Sequence, residues 1–236
     1  TLSIPRLSFR PEMEQIRKIL YIGIPGGIEN ALFQGGRVLV VSIISLFGTT
    51  QIAANGIANN LDTMGCMVGQ AMNLAMVAVI GRCAGALDHT QIRYYTKKLM
   101  IFTYLATAVV NITILTNLPF LLSLYGLSKE TTELAFRLVM IHNGCAMILW
   151  PVSFVLPNML RACNDVKFPM GTAIFSMAAF RIGFSYILGI RLGMGALGVW
   201  YAMILDWIFR SLCFVGRYFR GNWKTTIYRL SGSSGT

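Results

Sequence analysis

The feature that most constrains this chain is a series of six long apolar stretches separated by short polar connections. An α-helix rises about 1.5 Å per residue, so about 20 apolar residues are needed to cross the hydrocarbon core of a bilayer. All six stretches meet that length: 16–47, 51–83, 95–125, 131–160, 168–190 and 195–219. The sequence therefore predicts an all-α membrane protein, a bundle of six transmembrane helices.

Composition points in the same direction and argues against an enzyme. Hydrophobic residues make up 55% of the chain and charged residues 12%, whereas soluble domains carry about 25% charged residues. Little remains outside the spans for a water-exposed catalytic core. The spans hold no convergent set of nucleophile, base or metal ligands, and the five cysteines have neither zinc-site nor disulfide spacing. We therefore expect no enzymatic activity, no cofactor and no metal site.

Polar segments flank the predicted bundle at both ends. Residues 1–15 carry charge ahead of the first span and are predicted to form a linker, and residues 16–224 form the six-helix unit. Residues 225–236 are predicted to be a C-terminal tail. Its last six residues, SGSSGT, have the composition of a flexible or appended segment.

The positions of the basic residues predict the orientation of the spans. Of the 20 Lys and Arg residues, 14 fall in the terminal segments and the connections on the same side, three fall on the other side, and three lie within spans. Because basic residues concentrate in cytoplasmic loops, both termini are predicted to be cytoplasmic. This asymmetry, together with attraction to anionic lipid, accounts for the net charge of +11, so no nucleic acid partner is predicted.

The second span carries a stripe of polar residues along one helical face. Successive spacings of 4, 3, 4, 4 and 3 keep its members on one side, over about 27 Å of helix. The members are Asn55, Asn59, Asp62, Cys66, Gln70 and Asn73. Two interpretations stay open: the stripe lines a water-filled pathway, or it hydrogen-bonds to neighbouring helices.

Buried charges are normally tolerated when they have partners, and depth within the spans indicates which partners are available. From the outer ends of the first hairpin, Arg37 lies about 15 Å inward and Asp62 about 17 Å inward. A similar estimate matches Arg181 with Asp206, and Arg210 follows Asp206 by four residues, about one helical turn. We therefore predict two intramembrane charge pairs, Arg37 with Asp62 and Arg181 with Asp206, with Arg210 beside the second.

Glu29 has no cation at a matching depth. It lies about 27 Å from the outer end of its span, level with Gln70 and Asn73. A carboxylate without a cation in a medium of low dielectric holds a proton more readily. Glu29 is therefore the candidate for ion coupling, with H⁺ or Na⁺ as the ion. The alternative is that Glu29 stays protonated and hydrogen-bonds between helices.

Prolines predict where the spans bend. Pro25 is followed by two glycines in the first span, and Pro151 and Pro157 lie in the fourth. Each proline removes a backbone hydrogen bond from its helix. In a transporter such breaks often mark moving or binding segments, and in other membrane bundles they are simple kinks.

Three segments carry a family resemblance. The first is GIPGGIENALFQGGR at 23–37, followed by LFGTTQIAANGIANNL at 46–61. The others are PNMLRACNDVKFPM at 157–170 and the segment 180–224, which begins FRIGFSYILGIRLGMG. These segments resemble the C-terminal half of multidrug and toxic compound extrusion (MATE) transporters, especially the DinF-like bacterial branch, and the resemblance covers nearly the whole chain.

The resemblance implies a twelve-helix antiporter of two six-helix lobes, which exports organic, often cationic, amphipathic compounds in exchange for H⁺ or Na⁺. This chain would be the second lobe, in the plasma membrane, with residues 1–15 as the cytoplasmic linker between lobes. Its partners would be a first lobe, membrane lipid and small-molecule substrates. Many members of the other main branch carry an acid eight positions after the motif proline, where this chain has Phe33.

Two alternatives stay open from the sequence. A flippase lobe for a lipid-linked oligosaccharide would be favoured by a more cationic cavity, because its cargo is a pyrophosphate. A non-transporting structural or assembly subunit would instead pack the polar stripe of the second span against helices and keep it dry.

Overall fold

The computed structural model describes residues 13–232, apart from the side chains of residues 14, 15, 18, 19, 21, 22, 25, 26, 29 and 228–232. Helices make up nearly all of this range, and none of these residues lies in a β-strand. The predicted all-α class is confirmed. The helices are α1 (Met13–Ser45), α2 (Thr49–Gly85), α3 (His89–Thr116), α4 (Leu118–Ser123), α5 (Lys129–Ala162), α6 (Lys167–Arg191), α7 (Gly195–Arg220) and α8 (Trp223–Gly232).

Five of these helices, α2, α3, α5, α6 and α7, are long and apolar enough to cross a membrane. In α1 the apolar segment within the described residues is shorter, Asn30–Ser45. Helix α1 begins with the polar sequence MEQIRK, which lowers the hydropathy of its first turns. The length and composition of the five long helices identify the chain as a membrane protein.

The bounds of α3 differ from those of the predicted third span, 95–125, because of residues at the two ends of the helix. Asp88 caps the helix, because its carboxylate accepts hydrogen bonds from the backbone N–H groups of Thr90 and Gln91 at 3.0 and 2.9 Å. The helix therefore begins at His89 instead of residue 95. It ends at Thr116, and α4 follows with a proline in its first turn, where the missing N–H costs nothing.

Two of the long helices depart from regular α-helical bonding. In α5 a π-helical segment occupies Pro151–Val155, at one of the predicted bends. Pro151 has no backbone N–H to donate, so the helical hydrogen bonds around it must form between different residues. In α6 π-helical bonding covers Met177–Phe184 and Tyr186–Arg191, most of its second half. These wider turns loosen the helix on either side of Arg181.

Helix α2 lies at the centre of the bundle and packs against α3 and α5. Two of its glycines make the close approach possible. A Cβ atom at Gly69 would collide with the indole ring of Trp150, and one at Gly65 would collide with the amide of Asn111. Small residues at such contacts let membrane helices approach each other closely. One buried apolar cluster lies on the α8 side of this contact and a second on the α4 side.

The connection between α5 and α6 is bound to the last helices of the described chain. Arg217 donates to both carboxylate oxygens of Asp165, at 2.8 and 3.2 Å. Thr226 Oγ1 donates to the backbone carbonyl of Cys163 at 3.0 Å. Trp223 is buried in the same region. These contacts tie α5, α6, α7 and α8 together at one end of the bundle.

Candidate functional site

The polar stripe of α2 faces mostly into the bundle. Asn55 is buried, and its Oδ1 accepts a hydrogen bond from Trp200 Nε1 at 2.9 Å. Asn59 Nδ2 donates to Asn55 Oδ1 at 3.0 Å, and Asn73 Oδ1 accepts from Asn158 Nδ2 at 2.9 Å. These contacts favour the interpretation in which the stripe joins neighbouring helices. That it also lines a pathway stays a prediction.

The other members of the stripe differ in exposure. Cys66 is buried, and its Sγ lies 3.5 Å from Asp62 Oδ1. Asp62 keeps 19% of its side chain exposed. The side chain of Gln70 is exposed. Helical spacing therefore predicts correctly that most of these residues share one face. Gln70 is the exception, because it lies at the edge of that face and is turned away from the core.

The structure corrects the predicted pairing of Arg37 with Asp62. The basic group beside Asp62 is His142 on α5, whose Nδ1 lies 3.1 Å from Asp62 Oδ1. Arg37 is exposed and, within the described residues, forms no salt bridge with Asp62. Equal depth is not enough for contact, because both side chains must also point into the shared interface. The face of α1 that points inward includes Gly36 and Val40, and Arg37 points to one side of it.

His142 could have been found by the depth comparison used for the arginines. Asp62 lies 11 positions after Gln51, the start of the second predicted span, and His142 lies 11 positions after Thr131, the start of the fourth. Each is therefore about 17 Å inward from the same side. A comparison limited to Lys and Arg does not include His142, because histidine is neutral in the formal charge count. The depth match nevertheless holds for any group that can bond a carboxylate.

The predicted association of Arg181, Asp206 and Arg210 is present, and all three residues are buried. Arg181 Nη1 lies 3.9 Å from Asp206 Oδ2, which suits an ion pair but not a hydrogen bond. Arg210 Nε is closer, at 3.0 Å from Asp206 Oδ1, and it also donates to Ser176 Oγ at 2.8 Å. Asp206 is thus shared by two guanidinium groups from α6 and α7, of which Arg210 makes the better contact.

Aromatic rings complete the surroundings of this cluster. Phe33 lies 5.1 Å from the guanidinium carbon of Arg181 and 5.8 Å from that of Arg210, measured to the ring centroid. Phe154 lies 5.5 Å from Arg210 in the same way. A ring face attracts a cation through its quadrupole. Phe33 therefore stabilises two arginines without neutralising them.

Arg37 adds a third positive charge near this cluster. It is close enough to Arg181 to act on it electrostatically. It also borders an open groove of about 540 Å³ on α1, lined by Gln34, Arg37, Val38, Val41, Ser42 and Ser45. Three arginines from α1, α6 and α7 thus lie near one another, with Asp206 and Asp62 as the nearby carboxylates. The electrostatic character of this region is positive.

The remaining candidates are placed as follows. The backbone of Glu29 belongs to α1, but its side chain lies outside the described residues, so its role in ion coupling stays a prediction. The five cysteines are free thiols. Among residues 13–232, as far as their side chains are described, no group of three or more His, Cys, Asp or Glu residues could hold a metal ion.

The bundle carries buried charged residues in its interior, and comparison with known proteins identifies the family. The MatE family model matches residues 25–187, more than half of the chain. The chain therefore belongs to the MATE family of membrane transporters. The resemblance predicted from the sequence segments is confirmed.

Relatives and solved structures match this chain over part of their own length. The uncharacterized transporter YisQ of Bacillus subtilis is 26% identical over 95% of this chain and 48% of YisQ. A probable multidrug resistance protein NorM of Thermotoga maritima is 23% identical over 91% of this chain and 46% of that protein. The structure of a MOP superfamily transporter from Pyrococcus furiosus, whose binding pocket is described as having reverse polarity, matches with a TM-score of 0.77 and 21% identity, over 83% of this chain and 43% of that one. The chain spans about half the length of the curated relatives it matches.

Proposed function

We propose that this chain is the second lobe of a MATE-type antiporter that exports organic, amphipathic compounds in exchange for H⁺ or Na⁺. Substrate would move by alternating access, in which two lobes rock about a site between them. The lobe would act in the plasma membrane with both termini in the cytoplasm, as a transporter and not as an enzyme. The family and the half-length match support the proposal, and a first lobe is its expected partner.

The observation that carries this proposal is the exposed position of Arg37 on α1. Arg37 lies at membrane depth beside Gln34, Ser42 and Ser45, and the exposed Val38 and Val41 share this face. An arginine facing lipid near the bilayer centre costs about 2.5–3.5 kcal/mol on insertion scales. Such a face is better placed against water or a second protein surface. We infer that it borders the cleft between this lobe and the first.

Thiol labelling tests that placement. In a variant whose five native cysteines are replaced by serine, Arg37→Cys should react with a membrane-impermeant, water-soluble maleimide in the complete transporter. Leu105→Cys on α3 is the matched control, because Leu105 is also exposed, at 63%, but lies on an apolar surface. Equal labelling of the two positions would contradict a water-filled cleft at Arg37.

A second candidate is a cargo that carries negative charge, such as the pyrophosphate of a lipid-linked oligosaccharide. The arginine cluster favours it, because Arg37, Arg181 and Arg210 outnumber the carboxylate that two of them share. Guanidinium groups bind phosphate oxygens with two parallel hydrogen bonds. The transporter from Pyrococcus furiosus, which has a similar fold, is described as having a binding pocket of reverse polarity that suggests a different function.

The two candidates predict opposite responses to the same variant. If the cargo is cationic, Arg37→Gln in the complete transporter should leave export unchanged or increase it, because a repulsive charge is removed. If the cargo is anionic, the same variant should lose most of its transport. Proteoliposome assays with one cationic dye and one anionic lipid analogue distinguish them. If the lobe transports neither compound when it is combined with its first lobe, the structural-subunit alternative is favoured.

Export by the chain alone tests the half-transporter proposal directly. One lobe provides one side of the cleft, so the purified chain should export nothing from proteoliposomes, and co-expression with a first lobe should restore export. Coupled export by the chain without a partner and without self-association would overturn the proposal.

A further inference from the structure

His142 is a fully buried histidine with unused hydrogen-bonding capacity. Its side chain has 0% exposure, and Nδ1 lies 3.1 Å from Asp62 Oδ1. This distance suits a hydrogen bond, but the direction does not, and within the described residues neither ring nitrogen makes a well-directed one. The ring lies between two indoles, with centroid distances of 4.5 Å to Trp200 and 4.4 Å to Trp207. A histidine that served only for packing would satisfy at least one nitrogen.

The polar groups beside His142 are also incompletely bonded. Both amide atoms of Asn143, Oδ1 of Asn111 and Oγ1 of Thr107 are buried and lack a hydrogen-bond partner among the described residues. Asn111 Nδ2 donates to the carbonyl of Gly65, at 3.2 Å, so this cluster meets α2 one turn from Asp62. Buried polar atoms are normally paired, because leaving them unpaired is costly. A set of unpaired atoms beside a partly exposed acid and a buried base indicates a site that can take up and release a proton.

A proton fits this arrangement better than a metal cation. Hard cations such as Ca²⁺ need six or more oxygen ligands, and the pair offers one carboxylate and one imidazole. No metal-ligand group of three was found among the described side chains. An imidazole next to a carboxylate, by contrast, can take up one proton at a ring nitrogen and hold it as an imidazolium–carboxylate pair.

We propose that His142 and Asp62, the His142–Asp62 pair, are a proton-binding site in the core of this lobe. In the proton-free state the pair is a neutral imidazole and a carboxylate, with a net charge of −1. Uptake of one proton forms a single N–H bond on the imidazole and brings the net charge to zero. Release breaks that N–H bond and returns the proton to water on the side of Asp62, 19% of whose side chain is exposed. No other bond changes.

The charged and titratable groups on the surrounding helices determine which residues respond electrostatically when the pair takes up a proton. On α2, Cys66 Sγ lies 3.5 Å from Asp62 Oδ1. From α6, Arg181 is close enough to Asp62 to act on it electrostatically, and Arg37 of α1 acts on Arg181. On α7, Asp206 and Arg210 pair with each other and with Arg181. On α3 the neighbours are the uncharged Thr107 and Asn111.

Arg181 therefore lies between two carboxylates. It is 3.9 Å from Asp206 and also within the electrostatic influence of Asp62. Protonation of the His142–Asp62 pair neutralises its net charge while the Asp62 carboxylate stays ionised, so Arg181 is then attracted mainly to Asp206. Arg181 belongs to a π-helical segment of α6, so this change in attraction acts on that helix. The use of the pair in ion coupling rests on the proposed antiport function, whereas its protonation does not.

Tryptophan fluorescence tests the protonation directly. A protonated imidazole quenches a neighbouring indole more strongly than a neutral one, and two of the four tryptophans lie against His142. The purified protein in detergent should show a reversible transition in fluorescence when the pH is varied. His142→Gln should abolish it. Asp62→Asn should weaken proton binding at least about tenfold and move the midpoint to lower pH, because an opposite charge is lost.

The chain offers a matched control. His89, the only other histidine, stacks on Trp223 at 5.8 Å, so His89→Gln should leave the main transition unchanged. Size-exclusion and circular-dichroism profiles confirm that each variant is folded. If His142→Gln fails to fold, the shift in Asp62→Asn against the constancy of His89→Gln decides the question. A wild-type protein without a transition, or one whose transition survives unchanged in Asp62→Asn, would overturn the proposal.

Transport assays distinguish proton binding by the His142–Asp62 pair from the use of that proton in ion coupling. In the complete transporter, both pair variants should export with reduced dependence on an imposed pH gradient, while the His89→Gln variant keeps it. Unchanged gradient dependence in both pair variants, together with a normal fluorescence transition in the wild type, would show that the pair binds a proton but does not couple. Absence of export by the wild type would contradict the proposed function and leave the titration as the test of the site.

Discussion

Trp200 donates a hydrogen bond from its indole Nε1 to Oδ1 of Asn55 across 2.9 Å, joining the first turns of α7 to the polar stripe of α2. Both residues are buried, so neither atom can turn to water instead. The bond connects helices that are far apart in sequence. It fixes the height of α7 against α2 and keeps the indole of Trp200 against the ring of His142.

Replacing Asn55 by leucine should destabilise the bundle. The indole N–H of Trp200 would stay buried without an acceptor, which costs about 1–3 kcal/mol. Thermal unfolding in detergent, followed by size exclusion, should show a lower Tm. Asn60→Leu is the control, because Asn60 lies on the same helix but is exposed, and it should leave Tm nearly unchanged. An equal effect of the two variants would mean that the bond to Trp200 contributes nothing.

Gly69 should tolerate no side chain. A Cβ atom there would enter the ring of Trp150, and forcing extra volume into a packed core costs about 1–3 kcal/mol. Gly69→Ala should therefore lower Tm. Gly56→Ala on the same helix has no atom within 4 Å of the new Cβ, and it should be neutral or stabilising by up to about 1 kcal/mol, because alanine favours the helix.

Asp206 should be the most sensitive position of the arginine cluster. Asp206→Asn leaves Arg181 and Arg210 buried without their shared carboxylate, and removing one partner of such an ion pair costs about 3–5 kcal/mol. We expect little folded protein after purification. Combining Asp206→Asn with Arg181→Gln and Arg210→Gln should recover part of the yield, because no unpaired charge is left. A triple variant less stable than the single one would refute this account.

Labelling from outside intact cells checks the orientation. In a cysteine-free background, Lys129→Cys, at the start of α5, should react with an impermeant maleimide. Lys97→Cys, in the early part of α3, should react only after the membrane is permeabilised. External labelling at position 97 would place the termini outside the cell.

Glu29 stays the sequence-based candidate for ion coupling, independent of the His142–Asp62 pair. In the complete transporter, Glu29→Gln should insert and fold normally while weakening the dependence of export on the ion gradient. Glu130→Gln is a suitable control, since Glu130 is exposed at the start of α5. Wild-type gradient dependence in the Glu29 variant would assign coupling to other residues.

Several parts of this structure follow from the sequence by simple periodicity, and others do not. The helical spans follow from apolar length, and the shared face of the α2 stripe follows from its spacing. The contact of Arg181 with Asp206 follows from depth. Depth does not give direction around a helix, so it matches Arg37 with Asp62 although the two do not pair. The depth of His142 matches that of Asp62, but a comparison of formal charges does not include a histidine. The π-helical segment at Pro151 has a local cause, whereas those of α6 contain no proline and have no signal in the sequence pattern.

The bonds of Asp165 and Cys163 to Arg217 and Thr226 have a mechanical consequence for α6. The helix is anchored at the end that begins with Lys167, and its π-helical turns lie farther along, towards Arg191. The other end is held as well, because Gly198 of α7 lies against the backbone of Leu188 and Gln51 of α2 accepts a hydrogen bond from the backbone N–H of Ala196 at 2.6 Å. Any bending of α6 would therefore have to occur between its two held ends, in the π-helical turns themselves.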